Sequence, residues 1–431
     1  IFAVESAVNE LAHKMGMDPV KVKEMNMPVE GGPLPGYPDV PYAQSCSMDR
    51  CMARAKEMMD WDSKYPCRDM GNGKVRGVGV AMAMQGSSIA GVDVGGADIK
   101  LNEDGSYTLA LGCTDMGTGC DTVMAQIAAD CLNTPMDNIV VFSVDTDISP
   151  YDSGSYASAT TYTTGVAVMK ACEELKKKIC KLGAEMMEVD ERKVDFDGSC
   201  VFYDETLETD DGADGNAAGH MTDAEECYSV DMDAISSENA QKKVSLKDIA
   251  LKSTFFNNIE LQVVKQHSSP ISPPPFMVGM AEVEVDTETG SVDVLDYVAV
   301  VDCGTPINPN LARVQTEGGI AQGIGMALWE DVQYTDKGKI RNNSFMQYKI
   351  PTRQDIGNIR VDFECSYEKS GPFGAKSIGE LVIDTPCPAL AEAIYNATGV
   401  RLTELPMTPE KIAMEILKNR ESTRSGTKVE E

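Results

Sequence analysis

The sequence predicts an α+β fold built as two mixed lobes. Apolar residues recur at helical spacing in some segments and follow strand patterns in others, so both kinds of element are expected. They alternate along the chain without the regular strand–helix–strand order of a doubly wound sheet. With 431 residues and 42% hydrophobic content, the chain can bury sizeable cores.

The first segment, residues 1–72, is predicted to be helical. Helical spacing covers residues 5–15, and Asp18-Pro19 is a start signal for a second short helix. A third helix is expected at residues 51–61. Because the chain begins with Ile1 inside the first of these patterns, we expect the segment to continue an upstream half, carried on a longer chain or on a partner subunit.

The first lobe is assigned to residues 73–255. Its strands are expected at residues 77–83, 98–101, 107–111 and 139–144. Its helices are expected at residues 122–132 and 165–187. An insertion at about 204–240 contains 12 acidic residues and no Lys or Arg. This composition predicts a solvated surface segment, because it offers little apolar area to bury.

The second lobe is assigned to residues 256–431. It opens with a strand pair at 281–285 and 291–301, joined by a turn-like stretch between them. Helices are then expected near residues 318–328, 388–397 and 409–418. A Cys-Pro or Thr-Pro pair precedes each of the last two, as is typical of a helix start.

Charge and composition exclude several classes of function. The formal charge of −30 would repel nucleic acid and anionic membrane surfaces. No apolar run approaches the ~20 residues that span a bilayer, and a secretory signal pattern is missing, so we expect a cytoplasmic protein. The 13 cysteines have no regular spacing and there are only three histidines, so no metal site made by this chain alone is expected.

The Gly-rich stretch from Gly371 to Glu380 contains the candidate ligand-binding and catalytic residues. Its glycines let backbone N–H groups approach a ligand, while Lys376 and Ser377 add a charge and a hydroxyl, which indicates an anionic ligand. A P-loop is excluded because Ala375 precedes the lysine. Glu380 precedes an apolar run and is expected to be a half-buried base, although composition alone favours a capping or ion-paired role.

This stretch resembles the Gly-Glu-terminated signature of the xanthine dehydrogenase family, in which the glutamate faces a molybdenum. Four further stretches resemble the same family in the same order. They are residues 114–119, 301–304 with 307–309, 315–319 with 322–325, and 348–352. The resemblance runs from Ile1 to about residue 420. Residues 272–276 and 371–380 are most similar to the anaerobic purine and nicotinate hydroxylases.

The resemblance implies that Glu380 takes a proton from a molybdenum-bound hydroxyl, with water as the source of oxygen. The residues implied to contact the cofactor are Met116, Gly117, Thr118, Gly119, Ser155, Ser158, Thr160, Thr161, Gln315, Lys376, Ser377, Ile378 and Gly379. The Ser and Thr cluster stands just before the long helix, where hydroxyls could bind a pyrophosphate or simply cap the helix. Thr118 departs from the family, in which most relatives carry Gln.

The same resemblance implies a molybdenum–molybdopterin cofactor in its cytosine dinucleotide form. It also implies three partners: the upstream half of the molybdenum subunit, an iron–sulfur subunit with a [2Fe-2S] cluster and a FAD subunit. The substrate would be a small aromatic heterocycle of purine, xanthine or nicotinate type, which the enzyme hydroxylates oxidatively. The alternatives are an aromatic acyl-CoA reductase, an aldehyde oxidoreductase and a non-catalytic assembly subunit.

Overall fold

The structure is a computed structural model that describes residues 1–34, 36, 40–143, 145–207 and 242–424. The helices are α1 (Phe2–Lys14), α2 (Pro19–Asn26), α3 (Met48–Met59), α4 (Trp61–Lys64), α5 (Cys120–Leu132), α6 (Gly165–Met187), α7 (Leu246–Leu251), α8 (Pro309–Leu328), α9 (Pro386–Thr398) and α10 (Pro409–Arg424). The strands are β1 (Cys67–Gly71), β2 (Lys74–Met84), β3 (Gly95–Leu101), β4 (Tyr107–Leu111), β5 (Ile139–Ser143), β6 (Val194–Phe196), β7 (Cys200–Tyr203), β8 (Lys243–Ser245), β9 (Gln262–His267), β10 (Phe276–Asp286), β11 (Val292–Asp302) and β12 (Asn358–Phe363). The predicted α+β class is confirmed.

The chain folds into two compact units, and each is made of separate stretches of sequence. The first unit contains residues 1–91, 156–159 and 270–431, and the second contains residues 92–155 and 160–269. This grouping differs from the division into lobes at residues 72 and 255 that the sequence suggested. The reason is that β2 pairs along its length with β10, so a strand assigned to the first lobe lies in the sheet of the C-terminal residues.

The first unit is built on a five-stranded sheet with the order β1-β2-β10-β11-β12. All neighbours are antiparallel except β11 and β12. The central strand β10 is buried on both faces and is therefore almost continuously apolar. Its alternate residues enter two cores, one against α3 and the other against α8 and α9. Gly79 of β2 lets α9 approach, because a Cβ there would collide with the carbonyl of Ala389.

One end of this sheet leads directly to the candidate site. Met84 at the end of β2, Phe276 at the start of β10 and Asp302 at the end of β11 form a single row across three strands. The loops that continue from Met84 and Asp302 therefore leave the sheet at the same edge. The Gly-rich segment meets this edge through an isolated bridge between Gly304 and Ala375.

The second unit contains two smaller sheets. The four-stranded sheet has the order β5-β4-β3-β9, and the three-stranded sheet has the order β6-β7-β8. Helix α6 packs on β3 and β9 and buries Val168, Cys172, Leu175 and Ile179, which share one face. The bounds of α6 are those predicted from the sequence.

The other predicted helices are confirmed within a few residues, apart from α8. Its predicted start was residue 318, but it begins at Pro309, because Asn308 accepts a hydrogen bond from the N–H of Leu311 and caps the helix. Strands β1, β6, β7, β8, β9 and β12 were not predicted. The acidic insertion lies outside the described residues from position 208 onward.

Two further findings concern the described part of the chain. None of its helices combines the length and the apolar character that crossing a membrane requires. Its His, Cys, Asp and Glu side chains do not gather in groups of three that could hold a metal ion.

Candidate active site

A cavity of about 700 Å³ lies in the first unit between α8 and the residues around Glu380. One wall is a stripe of α8 formed by Gln315, Gly318, Gly319 and Gln322, at the spacing of a single helix face. A Cβ added at Gly318 would meet nothing within 4 Å, so this face offers open space between two amide side chains. The remaining lining residues are Gln85, Gly379, Glu380, Ile383 and Asp384.

Glu380 faces this cavity and has two side-chain partners. Its Oε2 accepts a hydrogen bond from Nε2 of Gln85 at 2.7 Å and another from Oγ of Ser158 at 3.3 Å. Its backbone N–H donates to the same Ser158 oxygen at 2.9 Å. The side chain is exposed rather than half-buried as expected. The apolar residues that follow, Leu381 and Val382, enter the core and leave Glu380 at the cavity.

Lys376 is fully buried and faces away from the cavity. Its ammonium ion-pairs with Asp302 at 3.0 Å, donates to the carbonyl of Ser45 at 3.1 Å and lies over the ring of Phe276. Its backbone N–H donates to the carbonyl of Cys303 at 2.7 Å. These contacts do not support the expectation that the lysine charge binds an anionic cofactor, because the charge is already neutralised inside the protein.

Ser377 and Ile378 also have structural contacts. The Ser377 hydroxyl bonds Gly86 and Ser87, and its N–H donates to the Ser87 hydroxyl, so all of these groups are engaged within the protein. Ile378 is partly buried against the core of the first unit. A cofactor contact from either residue therefore stays a prediction that these contacts do not support.

Behind the Gly-rich stretch, buried polar groups are paired with one another. Asp302 accepts from the N–H of Ser47 at 2.9 Å, from Ser366 at 2.7 Å and from the N–H of Gly304 at 3.0 Å, in addition to Lys376. Glu368, 2% exposed, accepts from the hydroxyl of Ser45 at 2.6 Å. The stretch is thus anchored to the end of β11 and to the start of α3.

Gln315 lies where the prediction placed it, beside the Gly-Glu pair. Its side-chain amide donates to the carbonyl of Gly379 at 2.9 Å, and the residue lines the cavity. The remaining amide N–H and the side-chain oxygen face a space where a ligand could bond them. The contact of Gln315 with the pterin stays a prediction that this position supports.

The Met116–Gly119 loop lies in the second unit and is closed by a neighbouring carboxylate. Asp115 accepts hydrogen bonds from the N–H groups of Gly117 at 2.8 Å and Gly119 at 3.1 Å. Both glycines have positive φ, 103° and 75°, which explains their presence. Met116 is exposed, and α5 begins directly after the loop. A ligand approaching this loop would meet its outer surface rather than these two N–H groups.

The Ser and Thr cluster is divided between the two units. Ser155 and Thr160 belong to the second unit and bond each other through their hydroxyls at 2.8 Å. Thr160 and Thr161 open a short π-helical turn that continues into α6. Ser158 belongs to the first unit and binds Glu380 instead. The prediction of a pyrophosphate contact is therefore not supported for Ser158 and remains untested for the other three.

Three cavity residues with polar side chains were absent from the predicted site. Gln322 lies seven residues after Gln315, and this spacing on an expected helix could have revealed it. Gln85 lies directly after the end of β2. Asp384 follows Glu380 by four residues, and burial raises the pKa of its carboxyl above the usual range, with the charge of Glu380 adding to the shift.

Several known proteins are similar to this chain. The model of the family "Molybdopterin cofactor-binding domain" matches residues 54–357. The chain is 34% identical over 427 residues to the probable hypoxanthine oxidase XdhD of Escherichia coli K12, covering 95% of the chain and 40% of the relative. It is 30% identical to the putative xanthine dehydrogenase molybdenum-binding subunit XdhA of the same organism, covering 96% and 51%.

A third relative is the nicotine 6-hydroxylase large subunit of Paenarthrobacter nicotinovorans, 28% identical over 95% of the chain and 49% of the relative. Among solved structures, quinoline 2-oxidoreductase of Pseudomonas putida 86 superposes with a TM-score of 0.79 at 21% identity, covering 97% and 52%. Carbon monoxide dehydrogenase of Oligotropha carboxidovorans gives 0.78 at 21% identity, covering 97% and 51%. The chain therefore spans about half the length, or less, of the proteins it matches.

Proposed function

Because the chain belongs to the xanthine dehydrogenase family of molybdenum-cofactor-binding proteins, we propose that it forms part of a molybdenum hydroxylase in which Glu380 is the catalytic base. The observation that carries the proposal is the position of this carboxylate at a polar cavity, on the segment that ends in the family's Gly-Glu signature. A base must lie within reach of the proton it removes, and this one is accessible.

The cavity suits a pterin cofactor that brings its own metal ligands. Gln315 and Gln322 offer amide donors and acceptors on one wall, and the open face at Gly318 lies between them. A metal held by a dithiolene needs no cluster of His or Cys from the protein. The walls thus match a planar, polar group with hydrogen-bonding edges.

The residues of the chain have separate roles in the proposed reaction. When bound, the molybdenum cofactor supplies the oxygen, which originates from water, and takes up the electrons of the substrate. Glu380 accepts the proton of the attacking oxygen, and a carboxylate so placed typically contributes ~10²–10⁴-fold in rate. Gln315 orients the pterin, and the family resemblance supports cofactor contacts from Met116–Gly119, Ser155, Thr160 and Thr161.

For the substrate we propose an N-heterocycle of purine, xanthine or nicotinate type. The support is the names of the relatives, which refer to hypoxanthine, xanthine and nicotine. We further propose the cytosine dinucleotide form of the cofactor, a cytoplasmic location, and electron transfer to [2Fe-2S] and FAD partners. Assays with hypoxanthine, xanthine, nicotinate and an aldehyde would test the substrate, and turnover of the aldehyde alone would contradict it.

Glu380→Gln tests the proposed base. The amide has the same shape but cannot accept the proton, so we expect turnover to fall by at least ~10²-fold while the molybdenum and pterin content of the assembled protein stays unchanged. The matched control is Glu404→Gln at an exposed position, which should retain activity. A metal-loaded Glu380→Gln protein with near-normal turnover would reject Glu380 as the base.

A further inference from the structure

We propose that Gln85 and Ser158 are positioning residues that hold one oxygen of the Glu380 carboxylate and leave the other oxygen free to accept the proton. This inference rests on the proposed function of Glu380 and specifies how the base is oriented. Neither residue belongs to the Gly-Glu signature, and they reach Glu380 from sequence positions 295 and 222 residues away.

The two oxygens of Glu380 have different surroundings. Oε2 lies 2.7 Å from the amide nitrogen of Gln85 and 3.3 Å from the hydroxyl of Ser158. Oε1 has no hydrogen-bond partner in the part of the chain that the structure describes. Two donors on one oxygen fix the rotation of the carboxylate, because turning it would break both bonds. The unpartnered oxygen is therefore the one that can accept a proton in the cavity.

Ser158 both accepts a hydrogen bond from Glu380 and donates one to it. Its hydroxyl oxygen accepts from the Glu380 N–H at 2.9 Å while its proton points to Oε2. This approach requires glycine at position 379, because a Cβ there would lie 2.9 Å from the Ser158 hydroxyl oxygen. The glycine of the signature thus has a second physical role, which is to admit the serine.

Strained backbone marks the two loops that carry these side chains. Ala157 and Ser158 have φ values of 44° and 57°, and Ser88, three residues after Gln85, has a φ of 77°. L residues rarely adopt this region, and such strain persists where surrounding contacts fix it, often at functional sites. Here the Ser88 N–H donates to the Ala157 carbonyl at 3.0 Å, which joins the two loops directly.

Both donors bond the same oxygen, so removing Gln85 or Ser158 leaves the carboxylate held by one bond and freer to rotate. A mispositioned carboxylate should lower kcat rather than substrate binding. A residue with a purely structural role would instead change the stability of the protein.

The test is Gln85→Met and Ser158→Ala in the assembled, molybdenum-loaded protein. We expect kcat to fall by about 10- to 100-fold with KM within about twofold, because misplacing a reacting group has effects of this size. Gln354→Met and Ser291→Ala, at exposed positions outside the cavity, are the matched controls.

A second readout does not depend on turnover. The infrared carboxylate bands that Glu380→Gln removes should shift in Gln85→Met and in Ser158→Ala, because each variant removes one hydrogen bond from the same oxygen. Unchanged bands in both variants would overturn the positioning role. If the bands shift but Glu380→Gln remains active, the two donors do hold the carboxylate and the proposed base is wrong, so the two failures are distinguishable.

Discussion

The two ends of the segment from Lys376 to Glu380 lie in opposite environments. At Lys376 the side chain is fully buried, and its ammonium has a carboxylate, a carbonyl and an aromatic face as partners. At Glu380 the side chain faces a cavity, and one carboxylate oxygen has no partner among the described residues. Within five consecutive residues, the environment therefore changes from an interior where the polar groups are paired to a cavity where a hydrogen-bond acceptor stays available.

A short sequence signature can therefore combine a residue that stabilises the fold with a residue that keeps its hydrogen-bonding groups available. A buried polar group must be paired to be tolerated, so the Lys376 end contributes to stability and to the position of the segment. A catalytic group must keep hydrogen-bonding capacity that the fold does not use, and the Glu380 end meets this requirement of the proposed base. Substitutions should consequently separate into those that unfold the protein and those that inactivate it.

The largest expected effect on stability is at the buried pair. Lys376→Met leaves the charge of Asp302 buried without its counterion and should lower the free energy of unfolding by ~3–5 kcal/mol. Urea unfolding of the variant and of Lys337→Met, at an exposed site, would measure this. The double variant Lys376→Met/Asp302→Asn removes both charges and should recover part of the loss. If Lys376→Met lowers the free energy of unfolding by less than about 1 kcal/mol, the buried ion pair at this end does not stabilise the fold as proposed.

A smaller effect of opposite sign is expected in the strained loop near Glu380. Ala157→Gly relieves a left-handed conformation but adds freedom to the unfolded chain, so the net gain should be ~0.5–1 kcal/mol. Differential scanning calorimetry would show a higher Tm. At Ala53, exposed in α3, the same substitution should instead destabilise by about 1 kcal/mol. A lower Tm for Ala157→Gly would mean that the loop is not strained.

The smallest effect is expected at Asp384. Its carboxyl has a pKa above the usual range in the folded protein, so ionisation opposes folding. Stability is therefore lost as the pH rises from the pKa of the unfolded chain, about 3.9, through the raised pKa of the folded protein. Asp384→Asn should therefore stabilise the protein at pH 7 by a few tenths of a kcal/mol, since partial exposure to water weakens the effect. Unfolding at pH 7 and pH 3 would check the sign, because the gain should vanish at the lower pH.

The sequence predicted the fold class and most helices because start signals and apolar spacing are local features. Asp18-Pro19 and Thr408-Pro409 each mark the start of an observed helix, whereas the Cys387-Pro388 pair lies in the first turn of α9, which begins at Pro386. Strands β1 and β9 were missed because their mostly exposed or half-exposed residues give little apolar pattern. Helix α8 was predicted too short because its first turns mix polar and apolar residues without a clear apolar face.

Parts of the candidate site could be found only from the tertiary structure. Glu380 was singled out by its signature, but the partner of Lys376 is Asp302, 74 positions earlier, and nothing local connects them. The same holds for Gln85 and Ser158, which contact Glu380 from loops that a linear motif does not include. The sequence therefore singled out the proposed base, whereas the residues that contact it come from distant parts of the chain.

The chain path through residues 156–159 has a practical consequence for protein dissection. These four residues belong by their contacts to the first unit, while the stretches on both sides belong to the second. Expressing the first unit alone, by joining residue 91 to residue 270, would delete the serine hydroxyl that bonds Glu380. Such a minimal protein would keep its sheet and Glu380 but lack the contact with Ser158. Even if it folds normally, its activity would not represent that of the intact chain.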